Sequence, residues 1–222
     1  MADRVSRKAL PHITYHNEAE KVIPGATTIP GQLDKPALAP AANRLGLAGI
    51  NSTEHWKGLA WIGTCAHLMV SADMKGEKPD LKDFSEADID AAENSYLSYL
   101  SWAKDHEIIP ILIETPLVSE AWQYGGTVDF YGFIDGTLTV MDYKTGKGIY
   151  PEMIMQIIAY SVLLEEHGHK VEQGRILRIG RDEDEGYDDK IIILADCKPH
   201  WEAFLLLKEL YPIMKVIKKK GA

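Results

Sequence analysis

Residues 125–148 read GGTVDFYGFIDGTLTVMDYKTGKG. Two runs rich in β-branched and aromatic residues, Thr127 to Ile134 and Thr137 to Tyr143, flank Asp135-Gly136. That pair tolerates the positive φ of a two-residue hairpin turn, so the stretch predicts two antiparallel strands. Folding at the turn sets Asp129 and Asp142 at one height on adjacent strands, where their carboxylates converge. A hard divalent cation prefers oxygen ligands and is poorly satisfied by one carboxylate, so the pair predicts a metal site. Lys144 falls on the same strand face as Asp142 by alternation. There an ammonium would stabilise charge on a phosphoryl group or orient an attacking water. Each residue taken singly would be a solvated strand-end group. Together they are not: Asp142 shares a face with Leu138 and Val140, and Asp129 sits amid Val128, Phe130 and Tyr131, where an unpaired carboxylate is costly.

Outward from the hairpin, a third strand is expected from Ile108 to Glu114 and two more at Gly174 to Ile179 and Lys190 to Asp196. Helices are expected from His55 to about Met74, from Ser85 to about His106, from Pro151 to the stop at Gly168, and from Pro199 onward. Ser85 with Asp88 three residues later reads as a capping box with Asp in place of Glu. The order helix, three strands, helix, strand defines an α/β fold with a mixed sheet, helices on its faces and at least one crossover. The Pro/Gly/Ala-rich stretch Pro24 to Ala42 reads as a lid or wrap-around arm, and Arg181 to Asp189 (RDEDEGYDD) as a solvated loop between strands. We divide the chain into an arm (1–53), a catalytic core (54–200) and a C-terminal helix (201–222) around one hydrophobic core.

A formal charge of −9 argues against a protein that coats nucleic acid, yet leaves room for a carboxylate site that recruits its own cations. No apolar run approaches the roughly 20 residues of a membrane helix, and the first residues lack the apolar segment of a secretory signal. A cytoplasmic location in a prokaryotic or phage-infected cell is therefore expected. Cys65 and Cys197 are isolated and read as plain buried thiols.

Taken together, the motifs resemble the PD-(D/E)XK nuclease superfamily in its RecB-like, phage-type exonuclease branch. The resemblance runs over Gly126 to Asp129, the hairpin, Asp142-Tyr143-Lys144-Thr145-Gly146, Gln156 with Tyr160, and Gly63-Thr64 with His67. It implies a restriction-endonuclease-like core. It also implies that Asp129, Asp142, His67 and the backbone carbonyl of Tyr143 hold Mg²⁺ or Mn²⁺, with Lys144 as the catalytic lysine. Gln156 and Tyr160, four apart on one helical face, either reach the site or a DNA phosphate, or form a polar ridge that satisfies strand ends. Glu114 resembles an acidic position of this branch. It either holds a second metal or a water, or pairs with Lys144 or another basic neighbour.

The run Thr27, Thr28, Asp34, Lys35, Pro36 and Leu38 resembles the region before the first helix in phage-type exonucleases, with Lys35 a candidate for DNA contact. Lys147, in the turn after Lys144, is another, and Arg4, Arg7, Lys8, Lys215, Lys218, Lys219 and Lys220 are further phosphate-contact candidates. Among the aromatics, Trp56, Trp61, Tyr131 and Tyr150 are weighed as base-stacking residues, with the tryptophans expected in the core.

Two cysteines cannot assemble the four-cysteine iron–sulfur cluster of some relatives, and no phosphate-binding loop for ATP is present. The expected activity is a metal-dependent exonuclease acting on linear duplex or single-stranded DNA ends, alongside a single-strand annealing or replication protein as possible partner. The alternatives are a structure-specific endonuclease or junction resolvase, and a DNA-binding module without catalysis. Oligomeric state is left open.

Overall fold

The computed structural model describes residues 13–220, with Lys220 described for its backbone only. Two short strands, β1 (Tyr15–His16) and β2 (Val22–Ile23), pair antiparallel and lead through a 3-10 turn at Pro30–Gln32 to α1 (Leu38–Leu47). Then follow α2 (Ser52–Lys75), α3 (Glu86–Ala103), β3 (Ile108–Ser119), β4 (Tyr124–Ile134), β5 (Thr137–Lys144), α4 (Pro151–Glu166), β6 (Gln173–Ile179), β7 (Tyr187–Ile192) and α5 (Lys198–Lys220).

The helices begin where local chemistry satisfies their free N–H groups. The Asn51 side chain accepts from the Glu54 N–H at 3.2 Å to open α2, and Gly76 closes that helix in the left-handed conformation at φ 66. Ser85 and Asp88 form the expected reciprocal capping box of α3. Pro151 opens α4 at its first position, where the missing N–H costs nothing. The hairpin turn is the expected Asp135-Gly136, both at positive φ (51 and 79). Asp135 accepts the Glu107 N–H at 2.9 Å and lies 2.6 Å from His106 Nδ1, which ties the turn to the link between α3 and β3.

The five-stranded sheet runs β3-β4-β5-β6-β7, antiparallel throughout except for the parallel pair β5–β6 that α4 connects. The expected restriction-endonuclease-like order of helix, meander, helix, strand is thus the observed one. One core lies between the sheet and α4 with α5, filled by Val128, Tyr131, Val140, Ile157, Leu163, Ile176 and Phe204. Another lies on the opposite face under α2 and α3, with Val70, Trp102, Phe130, Met141, Tyr143 and Leu177. Alternation along β5 sends Leu138, Val140 and Asp142 toward α4 and Met141 and Tyr143 toward α2 and α3.

Two expectations are corrected, and one left as two alternatives is decided. First, β3 does not end at Glu114 but continues to Ser119, and β4 begins at Tyr124. Their ladder carries a register shift between Pro110 and Leu112, and Glu114 within it sits at φ 48. Such left-handed backbone in a non-glycine residue stores roughly 1–3 kcal/mol and is held by its surroundings.

Second, the last strand spans Tyr187–Ile192, and Leu194–Cys197 is a 3-10 turn. The acidic stretch 181–189 is therefore not simply a solvated loop. Asp189 binds Arg175 through two 2.7 Å bonds and accepts from Trp102 Nε1 at 2.8 Å, while Asp188 pairs with Arg178. Two arginines buried to about 5–6% exposure draw the acids into the sheet.

Third, of the two readings of Pro24 to Ala42, lid or wrap-around arm, the structure bears out the arm. Ala26 and Ile29 are buried in the core beside α4 and α5, and burying one Ile side chain is worth roughly 2 kcal/mol. The segment also contains α1, which its Ala/Pro composition did not suggest. Pro40 falls within the first turn of that helix, where proline is tolerated.

Candidate active site

The site forms where β4 and β5 part. Their pairing runs from Ile134 opposite Thr137 to Phe130 opposite Met141, and Asp129 and Asp142 follow at the open end. Asp129 takes up a ladder bond there with its side chain, accepting the Tyr143 N–H on Oδ2 at 3.1 Å. Tyr143 thus donates its backbone N–H into the site. Its ring is fully buried, edge-on to His67 at 5.7 Å, and its hydroxyl donates to Met74 Sδ at 3.0 Å.

Two groups of side chains meet at Asp129. On one side His67 from α2 and Glu114 from β3 approach it. His67 Nδ1 lies 3.5 Å from Asp129 Oδ2 and 3.9 Å from Glu114 Oε1, and one ligand atom from each of the three lies within 4.8 Å of the others. On the other side Lys144 Nζ is 2.5 Å from Asp142 Oδ2 and donates to Gln156 Oε1 at 3.0 Å. Gln156 Nε2 donates both to Asp142 Oδ1 at 2.8 Å and to the Tyr160 hydroxyl at 2.7 Å. Gln156 and Tyr160 are both buried, and their i, i+4 spacing on α4 aligns them.

Glycines make this closeness possible. A Cβ on Gly126 would stand 2.7 Å from the Tyr160 ring, and one on Gly63 would stand 2.7 Å from Thr145 Oγ1. The Gly–Thr spacing before His67 is therefore steric: α2 approaches the end of β5 closely enough to aim the imidazole at Asp129. Thr64 only bonds back to Ala60 O in its own helix, at 3.1 Å.

The electrostatics follow from burial set against neighbours. Burial alone would lower the His67 pKa, but Asp129 and then Glu114 outweigh it and raise it to about 9. Burial raises Asp129 above the usual carboxylate range, against the pull of His67. Burial likewise raises Asp142 to about 6, opposed by Lys144. Lys144 is partly desolvated, which would lower it, yet Asp142 and Asp129 hold it above the ordinary lysine value and so protonated. Two basic side chains, His67 and Lys144, thus stand among three acidic ones, Asp129, Asp142 and Glu114.

The donor set suits a hard or borderline divalent cation: an imidazole nitrogen and two carboxylates within ligating reach, with a third carboxylate adjacent. Asp142 Oδ2 is buried and its close partner is the Lys144 ammonium. The three-ligand group contains Glu114 where the sequence comparison named Asp142, because both Asp142 oxygens face Lys144 and Gln156.

The expected DNA contacts separate. Lys35 is half exposed and lies 3.5 Å from Glu152 in the first turn of α4. Lys147 is exposed in the loop after β5. Lys215, Lys218 and Lys219 lie on exposed α5, whereas Arg4, Arg7 and Lys8 lie outside the described residues and Lys220 is described for its backbone only. Trp61 is buried against Phe84 at 4.6 Å, and Tyr131 is buried with its hydroxyl on Lys170 O at 2.7 Å. Tyr150 is 45% exposed and Trp56 is half-buried.

Two residues near the site were not anticipated. Tyr15 lies over Gly125, where any Cβ would collide with its ring, and its hydroxyl is 2.9 Å from Thr127 Oγ1. Burial raises its pKa, and Asp129 and Glu114 add to the rise. Arg181, just beyond β6, reaches Thr145 Oγ1 at 3.4 Å. No sequence signal marked either one: Tyr15 reaches the site only because the arm docks, and Arg181 opened a run read as loop.

No family model matches this chain, and no curated protein matches it. Among solved structures, an alkaline exonuclease (LHK-Exo) from Laribacter hongkongensis is similar at 13% identity, over 89% of this chain and 92% of that one, with a TM-score of 0.38. LHK-Exo in complex with dAMP is similar at 13% identity, over 90% and 93%, with a TM-score of 0.39.

Proposed function

We propose that this protein is a metal-dependent deoxyribonuclease that hydrolyses phosphodiester bonds from DNA ends. The carrying observation is the pairing of a three-ligand group, His67–Glu114–Asp129, with a protonated lysine held by Asp142 and Gln156. His67, Glu114 and Asp129 would hold Mg²⁺ or Mn²⁺, with Asp142 and the Tyr143 carbonyl available beside them. Such a cation, when bound, supplies positive charge at the phosphate oxygens and makes water more acidic.

The chain's own groups supply the rest. Lys144, fixed from two sides, presents its ammonium where negative charge grows on the phosphoryl oxygens. Gln156 spends both amide hydrogens and its oxygen on Asp142, Tyr160 and Lys144, so it sets the lysine's position rather than touching substrate. Tyr160 accepts from Gln156 and keeps its own hydroxyl proton for an acceptor. In hydrolysis the water oxygen joins phosphorus and the P–O3′ bond breaks, leaving a 5′ phosphate and a 3′ hydroxyl. The preference for ends rests on the sequence resemblance to phage-type exonucleases, which also supports a role in DNA replication, recombination or repair.

The test is digestion of end-labelled linear duplex, single-stranded and closed-circular DNA in Mg²⁺ or Mn²⁺, with EDTA and Lys144→Ala as controls. Metal-dependent release of nucleotides from linear DNA alone, lost in the variant, is the expected result. Cleavage of circles would make the protein an endonuclease, and silence on all substrates would leave a binding module.

A further inference from the structure

Three arginines follow one another at three-residue spacing along and beyond β6, and they are not equivalent. Arg175 is saturated by Asp189, and Arg178 by Asp188 together with Glu185 O at 2.9 Å. Arg181 is not. Among the described residues its Nε is buried without a hydrogen-bond partner, and its side chain makes the long 3.4 Å contact from Nη2 to Thr145 Oγ1. Glu185 is engaged with the backbone instead: its Oε2 accepts the Arg181 N–H at 2.9 Å. Burial lowers the pKa of this guanidinium, against the pull of Glu185 and Asp182.

Its position gives that unspent capacity a direction. β6 runs parallel to β5 with Arg178 level with Lys144, so Arg181 projects past the carboxyl end of both strands. In α/β sheets that end is where ligands bind, in the crevice outside the strand termini. Thr145, the residue Arg181 touches, directly follows Lys144 and is pressed from behind by Gly63 of α2. The cation is thus anchored one residue from the lysine.

We propose that Arg181 is a DNA-backbone clamp: its guanidinium binds the non-bridging oxygens of a phosphodiester adjacent to the one facing Lys144, and so positions the strand for cleavage. A planar guanidinium with unpaired N–H groups matches phosphate oxygens in a way a lysine does not. This rests on the deoxyribonuclease reading of the site, but its test is a binding measurement that needs no turnover.

In the Lys144→Ala background with Mg²⁺, fluorescence anisotropy of a short labelled DNA duplex is titrated over a range of salt, with and without Arg181→Gln. Arg181→Gln is expected to weaken binding roughly ten- to a hundredfold, as loss of a charged hydrogen-bonded contact does. The slope of log K against log salt should become shallower by about 0.9, the signature of one lost phosphate contact. Arg181→Lys should keep the slope and recover only part of the affinity. Lys82→Gln, which alters an exposed lysine paired with Asp80, should change neither quantity. Unchanged affinity and slope in Arg181→Gln would overturn the clamp while leaving the nuclease reading intact. Weakened binding with an unchanged slope would also overturn it, marking Arg181 as structural. Failure of the Arg181-containing parent to bind duplex at all would overturn both.

Discussion

Asp129→Asn should change stability in opposite directions with and without metal. Asp129 is 7% exposed, and its desolvation is the largest influence on it. It is attracted by His67 at 3.5 Å and repelled by Glu114. Unit charges about 4 Å apart interact by roughly 4 kcal/mol at an effective dielectric of 20, so repulsion by Glu114 offsets much of the attraction to His67; Lys144 and the Tyr143 N–H add to that attraction, and burial outweighs them. An Asn of the same shape carries no charge to desolvate and still offers an oxygen to the Tyr143 N–H. In EDTA the variant should therefore be about 1 kcal/mol more stable. With metal at about a hundred times its dissociation constant, the parent gains roughly 2.7 kcal/mol by mass action. For a chain of this size that is a rise in Tm of about 5–11 °C, and the variant should lose most of it. Differential scanning fluorimetry of both proteins in EDTA and across Mg²⁺ and Mn²⁺ titrations measures this. A variant that melts lower in EDTA and still rises with metal would refute both the burial argument and the assignment of Asp129 as ligand.

Other outcomes follow from the same geometry. Asp189→Ala strands a buried guanidinium and the Trp102 N–H, and should cost about 3–5 kcal/mol, read as a large loss of urea midpoint. Replacing Gly126 with Ala puts a Cβ 2.7 Å from Tyr160 and 3.1 Å from Leu163. Overpacking of that kind costs roughly 1–3 kcal/mol, and displacement of α4 should lower nuclease activity by more than the fall in stability explains. In EDTA the His67 contribution to stability, whose pKa is raised from 6.5 to about 9, is full below the lower value. It is lost as pH rises through the higher one. Metal-free Tm should therefore fall over that window, and a Tm equally steep in His67→Gln would sink the assignment.

The hairpin and the capping box were legible because each is specified within a few residues. Asp135-Gly136 needs only its own backbone freedom, and Ser85 with Asp88 only its own turn. The fate of the acids at 188–189 was not, because it depends on arginines of the neighbouring strand, Arg178 opposite Asp188 and Arg175 diagonal to Asp189. Composition alone makes such a run look solvated. Whether the arm docks was illegible for a similar reason: Ala26 and Ile29 anchor it, and only the assembled α4–α5 face receives them. The φ of 48 at Glu114 has no local signature, since nothing about Glu-Thr favours left-handed backbone.

Asp129 and Asp142 looked interchangeable in the sequence, two acids at one height on paired strands. What separates them is α4. It brings Gln156 to Asp142 Oδ1 while Lys144 takes Oδ2, so the carboxylate most buried in the site has both oxygens turned to that side. Glu114, bent out of regular strand geometry, turns instead toward His67 and Asp129. Asp129 alone belongs to both groups, through the imidazole on one side and through the Tyr143 N–H next to Asp142 on the other. On the proposed metal site its loss would remove a ligand, and it would also remove the bond that holds β5 in place where the ladder ends. That makes Asp129, rather than Lys144, the position where truncation to Ala should disturb metal affinity and site geometry at once, whereas Asn, which keeps the Tyr143 bond, should disturb metal affinity alone. Lys144→Gln should leave metal-induced stabilisation in place while abolishing hydrolysis.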